Sequence, residues 1–331
     1  MTQFTVRKPK KNPALMLVYY GGRGAGKTTL ALKTSVGRTL ILAFENVDII
    51  ASRHGADDVD IMDGPQDEAG VLALFGALAS TPHGYDTIIV DSVTAIDAIA
   101  QKSFVDVQAP TAKHNTVRSV QGLGAYGAGK GQMEDLHVRV ASSLSRLRDQ
   151  GARVIVIGHE RLYSVKHPGV DEYQKFAVAG FNREVMEHYV THADAVGRVY
   201  NRTSASKSKD GRVNAVEGSR VIDFMPSAHQ EAKARLEGME QSFDWLSPDS
   251  VPFAAYLARF QEAPPAPFTS PAEEELIGRA KTALAAGRWA AVEANLIQQR
   301  CYDPADVAAL RERLVVELGE EGIAIAEPSA L

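Results

Sequence analysis

The sequence predicts an α/β protein: a mainly parallel sheet flanked by helices, with a small helical module after it. Three observations predict this. Short apolar runs at 15–20, 39–44, 87–90 and 154–157 alternate with stretches of helical periodicity. The first run leads directly into Gly21-Gly22-Arg23-Gly24-Ala25-Gly26-Lys27-Thr28, which fits G-x-x-x-x-G-K-[ST] with Gly21 and Gly26 as its fixed glycines. Two later runs end in carboxylates, Glu45 and Asp91, on the side where doubly wound sheets bind ligands.

The glycine motif carries chemistry because of its flanks. Leu15 to Tyr20 reads as a buried strand, and Thr29-Leu30-Ala31-Leu32-Lys33 as the start of a helix. In that setting backbone N–H groups turn inward around phosphate oxygens, and the helix N-terminus adds partial positive charge. Lys27 would reach the outer phosphates of ATP and the Thr28 hydroxyl would ligate Mg²⁺; Thr29 stands one place too late for the metal. The bland alternative is a chance glycine-rich turn.

Composition sets bounds. The 331 residues suffice for one large or two modest domains, and 45% apolar with 23% charged content is ordinary for a soluble protein. The net charge of −5 gives no overall attraction for nucleic acid, so any such contact must come from a local patch. A single cysteine, Cys301, excludes an internal disulfide and a cysteine zinc cluster and suits a reducing cytoplasm. Residues 1–13 form a basic arm with Arg7, Lys8, Lys10 and Lys11, and the apolar run behind it is too short for a signal peptide or membrane span.

Along the chain, Thr39 to Phe44 is the second strand, followed by Glu45-Asn46. Residues 46–65 read as loops around a short strand at 59–62, and 67–79 as an amphipathic helix with Val71, Leu72, Leu74, Phe75 and Leu78 on one face. Tyr85 to Ser92 has the form of a Walker B strand, whose Asp91 would hold Mg²⁺. Residues 93–107 are helical, 110–131 a glycine-rich loop, and Met133 to Gln150 a helix stopped by Gly151.

Arg153 to Glu160 is the fourth strand. His159 at its end is either structural or a sensor of the outer phosphate. Residues 161–183 read as a long flexible connection. It interleaves Arg161, Lys166, Lys175 and Arg183 with Tyr163 and Phe176, charge for phosphates and rings for bases; an ordinary surface loop is the alternative. Glu184 to Thr191 is helical, and strands at 193–202 and 220–224 follow. From Arg198 to Arg220, six Lys/Arg against two Asp/Glu leave a local +4, with Arg202, Lys207, Lys209 and Arg212 as nucleic-acid candidates and a solvated hairpin as the alternative.

The core closes near a helix at 250–260, so 14–261 is one unit. A Pro-rich linker (262–271) leads to a small domain of three helices (272–319) and a tail (320–331) expected to be disordered. The helical domain carries no recognisable chemistry, and partner binding or assembly is its expected role.

Taken together, the segments GGRGAGKTT, LILAFEN, TIIVDSVTAI and VIVIGHE resemble the RecA-like branch of P-loop ATPases over about residues 14–235. The resemblance implies that Glu45 matches the base that activates water and Asp91 the Mg²⁺-associated acid. It also implies that His159 stands where the family often carries a Gln, and that 161–183 and 198–220 fall at the DNA-contacting loops. Compact size, IGHE and the AKAR segment are similar to phage RecA-like ATPases of the single-strand annealing and recombination type. In such relatives basic residues late in the core reach a neighbour's nucleotide, which makes Lys233 and Arg235 trans-acting candidates.

The resemblance therefore implies an ATP- and Mg²⁺-dependent ATPase acting on single-stranded DNA. It would work as a homo-oligomeric ring or filament in the cytoplasm (the bacterial host's, if phage-encoded). A single-strand-binding or other protein would meet its C-terminal helices, and no membrane is involved. Two further readings stand beside it: a hexameric helicase-type motor, and an ATP-dependent switch that binds a protein rather than DNA.

Overall fold

The sheet forms because its central strands carry apolar side chains on both faces. In the computed structural model these strands are β1 (Met16–Gly21), β2 (Thr39–Ala43), β4 (Thr87–Asp91) and β5 (Arg153–His167); β3 (Val59–Asp63) is a largely exposed edge strand, and the antiparallel β6 (Val170–Val178) and the parallel β7 (Ala195–Lys207) follow β5. β8 (Val213–Asp223), β9 (Lys233–Ala234) and β10 (Ser242–Trp245) complete the set. The structure describes residues 13–54, 58–108, 128–167, 169–207, 213–239, 241–245, 251–258, 271–300, 304–320 and 322–326. Sheet order is β10-β8-β7-β1-β5-β4-β2-β3, parallel from β7 to β3.

Strand periodicity of two sorts the residues into two cores. Met16, Val18, Tyr20, Leu40, Leu42, Val90 and Val156 face one layer. It is built from α3 (Glu68–Leu78), α4 (Val93–Gln108), α5 (Ala128–Gln150) and α6 (Arg183–His192). Leu17, Tyr19, Ile41, Ile89, Ile155 and Ile157 face the other, with α1 (Lys27–Lys33), α2 (Asp48–His54) and α7 (Pro252–Ala258). Side-chain caps open two helices: Asp67 accepts from the Gly70 N–H and Asn182 from the Val185 N–H, each at 2.8 Å.

Three segments differ from the sequence reading. Residues 48–54 are the helix α2; only Ala51 is buried there, so no apolar stripe announces it. Within 161–183, which the sequence reads as a flexible connection, residues up to Val178 pair as an antiparallel hairpin and Arg183 opens α6. β5 pairs with β1 as far as His159 and with β6 from Glu160 onward. Helix α5 starts at Ala128, ahead of Met133. A second hairpin, β7–β8, likewise runs past the end of β1. Both hairpins extend from the C-terminal edge of the sheet.

The chain divides into two compact units, Met1–Phe268 and Thr269–Leu331. The second consists of α8 (Pro271–Ala285), α9 (Trp289–Arg300) and α10 (Pro304–Glu320), with Ala280, Leu284, Trp289, Val307, Leu314 and Leu318 as its core. The N-terminal basic residues 7–11, residues 109–127 (most of the stretch expected to be a glycine-rich loop), the proline-rich stretch, Cys301 and the last residues of the tail lie outside the described residues.

Polar groups under the sheet tie three helices together. His137 on α5 is fully buried; its Nδ1 lies 2.7 Å from the Tyr189 hydroxyl on α6 and its Nε2 3.1 Å from Asp97 on α4. A buried polar atom deprived of its partner costs about 1–3 kcal/mol. Tyr189→Phe is therefore expected to lower unfolding free energy by about that amount, read from the urea midpoint; an unchanged midpoint would contradict the role given to this network.

Candidate active site

The phosphate loop owes its glycines to close neighbours. β1 and β7 run in register with Gly21 opposite Val199, and a Cβ on Gly21 would lie 1.9 Å from the Val199 carbonyl oxygen. No side chain fits there without moving backbone. Gly26, just before α1, has φ +96°, a left-handed conformation that favours glycine. A Cβ on it would also meet the Trp245 ring at 2.7 Å.

Parallel register then gathers the functional side chains. Gly21 pairs with His159 across β1–β5, and Ala43 with Asp91 across β2–β4. The chain leaving β2 stays on Asp91, whose carbonyl accepts from the Phe44 and Glu45 N–H groups. Lys27, Thr28, Glu45, Asp91 and His159 thus line one cleft of about 760 Å³ at the C-terminal ends of the strands.

Lys27, Thr28, Asp91, Glu45 and His159 all find partners within the protein. The buried Lys27 ammonium donates to the Gly21 and Gly22 carbonyls at 3.1 and 2.9 Å, and its burial lowers its pKa. The Thr28 hydroxyl donates to Asp91 Oδ2 at 2.6 Å, while Thr29 is buried in the helix. Burial pushes the Asp91 carboxyl up, against the hydrogen bond from Thr28. Glu45 Oε1 accepts from Ser92 Oγ at 2.5 Å and lies 3.0 Å from His159 Nε2. The His159 hydrogen bond is the largest influence that holds the Glu45 carboxyl down at about 2. His159 is fixed in turn by its backbone N–H on Thr94 Oγ1 at 3.0 Å, and among the described residues its buried Nδ1 has no partner. Arg23 and Gly24 stand exposed at the loop's tip, with Gly22 and buried Ala25 beside them.

The remaining sequence candidates are placed as follows. Arg161, Tyr163 and Lys166 lie on β5, Lys175 and Phe176 on β6. Arg161 and Lys166 are exposed; Lys166 pairs with Glu172 at 3.5 Å and Arg161 sits 5.6 Å from the centroid of the Tyr163 ring. Two expected contacts are turned inward. Phe176 packs against the core with the Arg198 guanidinium 3.5 Å from its ring centroid, and Arg183 pairs with Glu231 at 3.3 Å. Arg202 is exposed, 3.3 Å from Asp244, and Lys207 ends β7; Lys209 and Arg212 lie outside the described residues.

Lys233 donates to the Val190 and Thr191 carbonyls at 2.8 Å each, closing the end of α6. Arg235 is 55% exposed and 3.5 Å from Asp194. Both stand where β9 meets the start of β7, at the edge of the sheet opposite the cleft.

Sequence reasoning missed Ser92, the Glu160–Arg198 ion pair at 2.8 Å, and Arg220. Ser92 was legible, since it follows Asp91 directly. The others depend on which strands become neighbours.

Glu45's depressed pKa stabilises the fold fully above its ordinary value near 4.5, and that contribution is lost as pH falls toward about 2. Removing the main cause should reverse the shift. In His159→Ala the Glu45 carboxyl is expected to titrate at higher pH than in the parent, by carboxyl-resolved NMR; an unchanged midpoint would contradict the pairing.

Among known proteins, the family described as "AAA domain" matches residues 14–236, the stretch that holds every residue of this cleft. A search of curated proteins finds no match to the chain. The phosphate loop, the carboxylate-ended strands and the mostly parallel sheet agree with that match, and the chain belongs to the AAA-domain family, with its P-loop ATPase type of fold.

Proposed function

We propose that the protein hydrolyses ATP with Mg²⁺ and couples hydrolysis to single-stranded DNA as a RecA-like homo-oligomer, in recombination or strand annealing of the phage type. The observation that carries the chemistry is the convergence of Lys27, Thr28, Asp91, Glu45 and His159 in one cleft beside the phosphate loop.

The residues fit a hard divalent cation. Thr28 and Asp91 offer a hydroxyl and a carboxylate 2.6 Å apart, oxygen donors of the kind Mg²⁺ prefers, with phosphate and water supplying the rest. A buried carboxylate with raised pKa gains most from a cation beside it. When bound, the ion neutralises charge on the β- and γ-phosphates.

Lys27 exchanges its two loop carbonyls for phosphate oxygens. Glu45 orients the attacking water and takes its proton. The water oxygen bonds to phosphorus as the β–γ bridging bond breaks, releasing ADP and phosphate. A carboxyl held at about 2 is a weak base, so the His159–Glu45 contact keeps this group restrained. A γ-phosphate that draws the imidazole away frees Glu45 to accept a proton, which ties turnover to correct occupancy.

DNA coupling rests on the two hairpins at the same edge of the sheet. His159 belongs to β5, and eight residues on, the same strand ends in the β5–β6 hairpin. Arg161, Lys166 and Lys175 lie on it, and Arg202 on β7. A shift of His159 toward phosphate therefore moves a strand that continues into the candidate DNA surface. Lys233 is occupied within its own chain, which leaves Arg235 as the freer trans-acting candidate.

A second reading is favoured by Val316, Ile323 and Ile325, which are exposed on the C-terminal unit. There the unit binds a single-strand-binding or other protein. No described helix is long and apolar enough to cross a membrane.

Glu45→Gln is expected to retain ATP binding while single-turnover hydrolysis falls by about 10²–10⁴; full hydrolysis would remove Glu45 as the base. Replacing Arg161, Lys166 and Lys175 together by Ala should weaken binding of fluorescent single-stranded oligonucleotide. It should also flatten the salt dependence by roughly 0.7 per lost phosphate contact. Unchanged binding and slope would place DNA elsewhere or exclude it.

A further inference from the structure

Strand β8 brings a further cation to the cleft that holds Lys27. Arg220 lines it together with Gly26, Lys27 and Thr28. Among the described residues its guanidinium has one partner, the Trp245 ring, at 5.4 Å to the ring centroid. Arg220 and Trp245 are a cross-strand pair in the antiparallel β8–β10 ladder, so the pairing that sets the register also sets this contact.

Trp245 is 1% exposed, and its ring edge abuts the phosphate loop. A Cβ on Gly26 would lie 2.7 Å from the ring and 3.5 Å from Arg220 Nη1. The guanidinium is thus held against the loop by a rigid aromatic face. Arg220 and Lys27 face the same cleft, and two cations on one cleft favour an anionic ligand there. The planar guanidinium fork, in cation–π contact with the Trp245 ring, suits a phosphate better than a point charge would.

Topology says which end of the anion it meets. Glu45 just after β2, Asp91 on β4 and His159 on β5, the groups for the reacting end, lie on one side of β1. β8 lies on the other side, beyond β7. We propose that Arg220, aimed by Trp245, binds in cis the diphosphate common to ADP and ATP. The assignment rests on the nucleotide reading above and adds a residue which that reading does not use.

The test is equilibrium binding by the full chain. The chain has two tryptophans, Trp245 and Trp289, so Trp289→Phe leaves Trp245 as the sole reporter. In that background ADP is expected to change Trp245 emission. Arg220→Ala should weaken ADP and a non-hydrolysable ATP analogue by the same factor, about 10- to 100-fold, the loss of one charge-assisted contact. Arg220→Lys should fall between.

If Arg220→Ala does not fold, by thermal melt, Arg220→Lys and Arg220→Gln give the comparison. Wild-type affinity in a folded Arg220 variant, with or without a lower melting temperature, would make the residue a structural brace and overturn the assignment. A loss confined to the ATP analogue would overturn it in favour of γ-phosphate contact. Lys27→Ala separates the two levels. Binding that depends on Lys27 but not on Arg220 sinks this inference alone, and no ADP binding by the parent sinks both.

Discussion

Everything in the nucleotide cleft depends on how closely the backbone of β1 approaches that of β7. The Val199 carbonyl stands where a Gly21 side chain would begin, so only glycine lets the chain turn at that point. The turn delivers Lys27 and Thr28 to the C-terminal edge of the sheet, opposite the ends of β4 and β5. Parallel register does the rest. One-residue slippage of β4 would exchange Asp91 with a neighbour of opposite facing and leave Thr28 without its acceptor. The apolar strands on both faces make such slippage costly, and core packing and site geometry are therefore one constraint.

The charges of the cleft are balanced against each other. Lys27 is turned onto loop carbonyls, Thr28 onto Asp91, and Glu45 onto Ser92 and His159. Burial opposes charge on Lys27 and Asp91 alike, so a ligand that brings phosphate and a cation relieves both at once. Glu45 is the exception, since its partners hold it ionised and weakly basic. The same strand that carries His159 continues into a hairpin, so the cleft and that hairpin share one strand.

Much of this was legible in the sequence. Gly21 to Thr28, Glu45 and Asp91 announce themselves through local pattern, because phosphate cradling and strand-end placement are properties of consecutive residues. The helices that apolar spacing places at 67–79 and 133–150 stand at Glu68–Leu78 and Ala128–Gln150. What was hidden depends on tertiary neighbours. The α2 helix buries a single alanine. The hairpin at 161–178 reads as a loop because its polar residues alternate on a ladder that projects beyond the core. Phe176 reads as a free ring, and only the fold sets Arg198 over it. Arg220 is legible only as the end of a basic stretch, since its place beside Gly26 comes from the β8–β10 pairing.

Steady-state ATP hydrolysis by the full chain, with and without single-stranded DNA and beside Lys27→Ala, tests the central claim most directly. The account predicts turnover that rises with single strands and falls by roughly 100-fold or more in Lys27→Ala, as loss of a preorganised charge requires. Hydrolysis that survives Lys27→Ala would contradict the active site. Robust hydrolysis indifferent to DNA would contradict the coupling and leave a nucleotide switch directed at protein.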